Sequence, residues 1–217
     1  MAVKDSVFSV LQNTKSEDGF VSGQEIAERC GVTRTSVWKS INALRKDGAQ
    51  IEAVTNRGYR LVSNDVYNAS EILKHISDKN VKIKFFDVID STNTQAKREL
   101  AEKDGKSLHK TVFVAARQTS GRGRLGRPFY SPEESGIYLS IVYSDGNITK
   151  PAVITASAGV AVARALKKIY NADAKIKWVN DVFVDGKKVC GILTEGVANF
   201  ETGMIDAAIV GIGINIT

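Results

Sequence analysis

Gly121-Arg122-Gly123-Arg124-Leu125-Gly126-Arg127 is the stretch on which the fold assignment turns. Its order, Gly-x-Gly-x-x-Gly, fits the dinucleotide fingerprint of a doubly wound α/β fold. That fingerprint needs a helix directly after its last glycine, because the amino end of the helix holds the pyrophosphate. Here Arg127-Pro128-Phe129-Tyr130-Ser131-Pro132 follows, with two prolines and no helical period. The doubly wound reading fails on that context. What remains is a slim loop carrying three guanidinium groups whose charge no accessible pH removes. Arg117 adds a fourth just ahead of it. Guanidinium matches carboxylate and phosphate in bidentate geometry, so the loop suits an anionic ligand. A solvated basic loop without a specific role is the plainer alternative.

On either side of this loop the periodicity predicts strands and helices in turn. Ser70 is the expected cap of a short helix carrying Ile72, Leu73 and Ile76, and residues 81–85 alternate as a half-buried strand does. Ser91 or Thr92 caps a helix running to about Lys103, and residues 111–116 form the strand that delivers Arg117 and Gln118 to the loop. Residues 137–143 lack clean alternation and read as a central strand. Pro151 opens an alanine-rich helix to about Tyr170, whose small apolar face suits a sheet. Strands then follow at 175–178, 181–184 and 189–193, with Asp185-Gly186 as a hairpin turn. The last strand, 207–214, is interrupted by Gly211 and Gly213. This is an α+β domain on a mixed or largely antiparallel sheet.

The amino-terminal part is organised differently. Residues 4–13 read as a helix with Val7, Phe8, Val10 and Leu11 on its apolar side. Ser22 and Glu25 make a capping box for a helix ending at Cys30-Gly31, and Thr33 caps another in which Val37, Ile41 and Leu44 repeat. Two helices on a tight turn, then a hairpin through Asn56-Arg57-Gly58, make a winged helix-turn-helix. From Arg29 to Arg60 there are seven basic residues against two acidic ones. Thr33, Arg34, Thr35, Ser36 and Lys39 lie near the start of the second helix, where a recognition helix meets bases and phosphates, and Arg57 is on the wing. These six are the expected DNA contacts; a winged module used only for protein contacts is the alternative. Trp38, one position off the apolar stripe, is expected to pack. The expected domains are 1–63, a linker at 64–68 around Ser63-Asn64-Asp65, and 69–217.

Composition sets wider bounds. A chain of 217 residues with 43% apolar residues can bury a real core in one or two domains. The net charge of +6 permits anionic partners without requiring them. Cys30 and Cys190 have neither metal nor disulfide-framework spacing and read as reduced, packed thiols. There is no long apolar run and no signal pattern, so the expectation is a cytoplasmic protein without a membrane partner.

Several separate pieces then agree. Asp90-Ser91-Thr92-Asn93, Gln118, the arginine loop, Lys177-Trp178-Val179-Asn180-Asp181, Lys188-Val189-Cys190-Gly191-Ile192-Leu193 and Gly211-Ile212-Gly213-Ile214-Asn215 occur in one order over residues 85–217. In them the chain resembles the bifunctional biotin–protein ligases that also act as biotin operon repressors. The resemblance implies a class II synthetase-like catalytic domain behind the winged module. It further implies a biotin–[acetyl-CoA-carboxylase] ligase using ATP and Mg²⁺. Biotin's carboxylate attacks the α-phosphate to give biotinyl-5′-AMP, and a lysine of biotin carboxyl carrier protein then takes the biotinyl group. Operator DNA and a second copy of the chain are the other implied partners.

By the same resemblance, Arg122, Arg124 and Lys188 stabilise the charge of the transition state, and Asp181 orients or deprotonates the acceptor lysine. Ser91, Thr92, Asn93, Gln118, Gly121, Arg122, Gly123, Lys188 and Gly191 are the implied biotin contacts. Arg124, Arg127, Phe129, Asn180 and Asn215 are those for nucleotide, and no residue set is implied as a metal site. Glycine-rich flexibility would let the loop order itself over the adenylate. Taken alone, Ser91-Thr92-Asn93 is also a helix cap, Asp181 a turn residue, and Trp178 either core or pocket wall. Phe129 stands where many members carry tryptophan, which implies altered adenine contacts. The chain ends at Ile216-Thr217, where the family continues into a small β-barrel domain with ATP and acceptor contacts, so the resemblance carries biotin binding further than full ligase activity. A ligand-sensing repressor without turnover and a lipoate-type acyl ligase are the competing readings.

Overall fold

The structure is a computed structural model that describes residues 3–14, 18–64, 67–103, 105–144, 151–198 and 205–216. Asp65 of the expected linker and the terminal Thr217 lie outside the described residues. The chain divides into two compact units between His75 and Ile76.

In the first unit, α1 (Val3–Gln12), α2 (Gly23–Cys30) and α3 (Arg34–Lys46) precede the antiparallel hairpin β1 (Ala49–Val54) and β2 (Gly58–Asn64). Val7, Phe8, Leu11, Ile26, Val37, Ile41 and Leu44 form one buried cluster, the convergence of three apolar helix stripes. Ser22 Oγ accepts from Glu25 N at 3.1 Å, and Thr33 Oγ1 accepts from Ser36 N at 3.2 Å. The capping box is only half made, because the Glu25 carboxylate turns outward to pair with Arg29. β2 runs on through Ser63 and Asn64, residues expected in the linker. The next helix, α4 (Ala69–Lys74), is capped by Asn68, whose Oδ1 accepts from Glu71 N at 2.9 Å, not by Ser70. It clusters with the first unit: Lys74 bonds Gln12 and lies 5.5 Å from the centre of the Phe8 ring. The contact boundary therefore falls later than the sequence suggests.

The second unit is a seven-stranded mixed sheet in the order β3-β4-β5-β9-β8-β7-β6. Its strands are β3 (Lys82–Ile89), β4 (Thr111–Gln118), β5 (Gly136–Tyr143), β6 (Lys175–Lys177), β7 (Asp181–Val184), β8 (Lys187–Ala198) and β9 (Ile205–Asn215). Only β3 and β4 are parallel, joined through α5 (Thr92–Glu102); every other pairing is antiparallel. Asp185 and Gly186 both take positive φ, as the tight β7–β8 turn requires. Strand alternation sorts the core onto two faces. Phe113, Val142 and Ile209 pack with Ala96 of α5, whereas Val210, Ile192 and Cys190 pack with Val162 of α6 (Pro151–Tyr170). Both cysteines are free, and no helix among the described residues is long and apolar enough to cross a membrane.

Candidate functional site

The site lies on the α5 face of the sheet, where side chains have been removed from its centre. Gly191 of β8 is paired with Gly213 of β9, and Gly211 is two residues earlier on the same face. A β-carbon at Gly211 would collide with the Asn93 carboxamide, and one at Gly213 would enter the Phe129 ring. The glycines form a backbone floor that other groups approach closely. Around it opens a cleft of about 480 Å³, part of it open to solvent.

One wall is the start of α5. Ser91 caps that helix, with its Oγ 3.4 Å from Thr94 N. Ser140 Oγ lies 2.5 Å from Asn93 Oδ1 and 2.7 Å from Thr92 Oγ1, while Asn93 Nδ2 donates to Glu195 Oε2 at 2.7 Å. Lys97 pairs with the other oxygen of that carboxylate at 2.7 Å. Gln118 Oε1 accepts from Thr92 N at 2.9 Å, and its Nε2 donates to Ser131 Oγ at 2.9 Å. Both ends of the Gln118 amide are therefore fixed, and it ties α5 to the segment that carries Phe129.

The arginine loop is folded into a hairpin. Gly123 N donates to Arg127 O at 2.7 Å, Phe129 N to Gly121 O at 2.8 Å, and Gln118 N to Ser131 O at 3.0 Å. No helix directly follows the glycine pattern, which itself holds only a single 3-10 turn, Arg124–Gly126, in agreement with the rejection of the dinucleotide reading. Arg124 Nη1 donates to Asn180 Oδ1 at 2.8 Å, Asn180 Nδ2 to Asp181 Oδ1 at 2.8 Å, and Lys188 Nζ lies 2.7 Å from that same oxygen. Among the described residues Arg122 has no anionic partner. Three cations, Arg122, Arg124 and Lys188, line the cleft, and no carboxylate does. The cleft is built for a ligand whose charged end is an anion.

Of the residues singled out in the sequence, Ser91, Thr92, Asn93, Gln118, Arg122, Gly123, Arg124, Phe129, Asn180, Lys188 and Gly191 line the cleft. Gly121 lies beneath the hairpin, where a β-carbon would press on Ser131. Arg127 and Asn215 are exposed and do not line it, and Asp181 acts from behind Lys188 and Asn180. Gly211 and Gly213 belong to the lining, and their spacing in a strand was the signal for a close approach. Glu195 had no local signal, because its partner Asn93 is a hundred residues away. Trp178 is 77% exposed, neither core nor pocket wall.

The two units match two families. Residues 7–60 match the HTH domain model, and residues 85–215 match the model of the biotin/lipoate A/B protein ligase family. The chain belongs to that ligase family. It is 38% identical over 201 residues to the bifunctional ligase/repressor BirA of Bacillus subtilis, covering 91% of this chain and 60% of that protein. Against the BirA of Escherichia coli it is 31% identical over 198 residues, 90% of this chain and 59% of that protein. The solved biotin protein ligase from Aquifex aeolicus in complex with biotin and ATP is 34% identical, with a TM-score of 0.51. That match covers 61% of this chain and 51% of the Aquifex chain. The chain thus spans about 60% of the length of the curated relatives it matches.

Proposed function

We propose that the chain carries out the biotin–protein ligase reaction and that its winged unit makes it a biotin-responsive repressor. The observation that carries the ligase reading is the cleft itself: three cations and no carboxylate around a glycine floor, with fixed amide and hydroxyl groups at its inner end. Ser91, Thr92, Asn93 and Gln118 take the ureido end of biotin, and its ring system lies in the cleft beside the Phe129 ring, which itself covers Gly213. The carboxylate then points toward Arg122, Arg124 and Lys188, where the ATP α-phosphate meets it. Joining two anions is the barrier, and fixed cations lower it most when the protein holds them in place beforehand. Asn180 does this for Arg124, and Asp181 does it for Lys188. In the transfer step a carrier-protein lysine attacks the acyl carbon and AMP leaves, with Asp181 oriented to accept its proton.

Among the described residues no group of three or more His, Cys, Asp or Glu side chains could hold a metal ion. The described residues therefore offer no all-protein cage for Mg²⁺. Mg²⁺ belongs in the reaction as the ion that ATP brings on its phosphates, and no step is assigned to it. The winged unit, with a homodimer to match two half-sites, would bind operator DNA in the cytoplasm. Incubation with biotin and labelled ATP tests the ligase reading. Pyrophosphate release with biotin and not with lipoate is expected, and binding without release would leave a ligand-sensing repressor. Arg122→Ala and Arg124→Ala should each raise the barrier by roughly 3–4 kcal/mol, by analogy with the loss of an oxyanion donor. Unchanged adenylate synthesis in both would overturn the proposal.

A further inference from the structure

The winged unit holds a second concavity, about 1430 Å³ and open to solvent, between the start of α2, the first turns of α3 and the β1–β2 turn. Trp38 stands in it, 57% exposed, and this corrects the expectation that it packs. The reason is angular: Val37, Ser40, Ile41 and Leu44 fill the buried stripe of α3, and Trp38 projects about 100° away from Val37. Exposed tryptophan is costly surface, and its indole N–H usually finds a partner. Among the described residues none bonds it. Beside it are Arg34 and Thr35, one turn earlier on α3, and Asn56 of the wing. Arg34 has no acidic partner among the described residues, and no carboxylate lines the concavity.

The cations of the wing are occupied differently. Arg57 pairs with Asp18 at 2.6 Å, and Arg60 with Glu52 at 2.5 Å. Both guanidinium groups also lie over the Phe20 ring, 4.3 and 4.7 Å from its centre. These arginines brace the wing, while the Arg57 side chain stays half-exposed. The groups left open toward solvent are a cation, an aromatic face with one N–H, a hydroxyl and an amide, each of the polar ones able to donate and none of them anionic. That set complements an anionic chain with apolar sugars between its charges.

We propose that this concavity seats one phosphodiester strand of duplex DNA, with the Trp38 ring against a deoxyribose, its Nε1–H on the adjoining phosphate and Arg34 on the next. The proposal rests on the reading of the winged unit as a DNA-binding module. With α3 in the major groove, the strand bordering that groove crosses the concavity toward the wing. Trp38 then fixes the register of α3 against the duplex, a contact that adds affinity without adding charge.

The test uses the full chain and a mixed-sequence duplex of about 30 base pairs. The chain has two tryptophans, so Trp178→Phe leaves Trp38 as the sole indole emitter. Its emission should change saturably with added duplex. By anisotropy of labelled duplex, Trp38→Ala should bind about ten-fold more weakly and Trp38→Phe only about two-fold more weakly, both with the wild-type salt slope. Arg34→Gln should instead lower that slope by about one. Wild-type binding that Trp38→Ala matches, with Trp38 emission unmoved, would overturn the proposal and leave the DNA reading intact. Failure of the wild type to bind duplex at low salt would overturn the DNA reading itself. Emission that follows protein concentration and ignores duplex would assign the concavity to a second protein chain, again against the proposal.

Discussion

The Phe129 ring closes over Gly213 so tightly that a β-carbon on that glycine would enter it. The ring is also held edge-on by Tyr138, centroid to centroid 6.4 Å at 76°. Gly213 therefore sets the height of the lid above the floor. Gly213→Ala should push Phe129 away from the sheet, weakening biotin binding by roughly ten-fold or more while costing about 1–3 kcal/mol in stability. Calorimetric titration with biotin, beside a thermal melt, separates the two effects. Wild-type affinity in a folded variant would show that the ring does not cover the ligand.

Lys188 and Asp181 should behave as one unit. Lys188 Nζ is 2.7 Å from Asp181 Oδ1, and neither side chain is fully exposed. Lys188→Gln removes the cation and Asp181→Asn the group that aims it, so the second change should matter little once the first is made. A double-mutant cycle on single-turnover adenylate formation should give a coupling of about 0.5–3 kcal/mol. Additive losses would mean that Asp181 acts on the reaction independently of Lys188.

Much of this arrangement was legible because it is local. Helical stripes, the caps at Ser22, Thr33 and Ser91, and the Asp185-Gly186 turn depend on neighbours within a few residues, and all appear in the structure. The cleft was legible by a different route, since the short motifs around Asn93, Gln118, Asn180 and Lys188 stand at strand ends and helix starts that the sheet draws together. What escaped depends on distant partners. Nothing near Arg57 in the sequence says that Asp18 and Phe20 will claim it. Asn68 outcompetes Ser70 as a cap by geometry two residues away, and Trp38 is exposed because its neighbours fill the stripe completely.

The thiols should be silent. Burial pushes the Cys190 thiol up to about 12 and raises that of Cys30 as well. At pH 8 a thiol with that value is thiolate in roughly one molecule in ten thousand, and Cys190 has no exposed surface. An aromatic disulfide reagent should leave Cys190 unmodified in the folded protein and modify both thiols in urea. Rapid modification of Cys190 under native conditions would show that α6 opens from the sheet.

Acid should loosen α5 through Glu99. Burial opposes ionisation of its carboxyl, but hydrogen bonds from Lys103 and Lys84 outweigh that and hold it below its ordinary value of 4.5. The folded state then binds fewer protons than the unfolded chain at this site. Its contribution to stability is complete above 4.5 and drains away as the pH falls from there through the depressed folded value. Glu99→Gln removes this contribution, so wild type and variant should differ in urea midpoint at pH 7 and converge progressively below about pH 4.5. Because Glu99 packs on the far turns of α5 from Ser91 and Asn93, biotin binding at neutral pH should survive the substitution. A gap in midpoint that widens with acid would reverse the sign and show that the two lysines fail to offset burial.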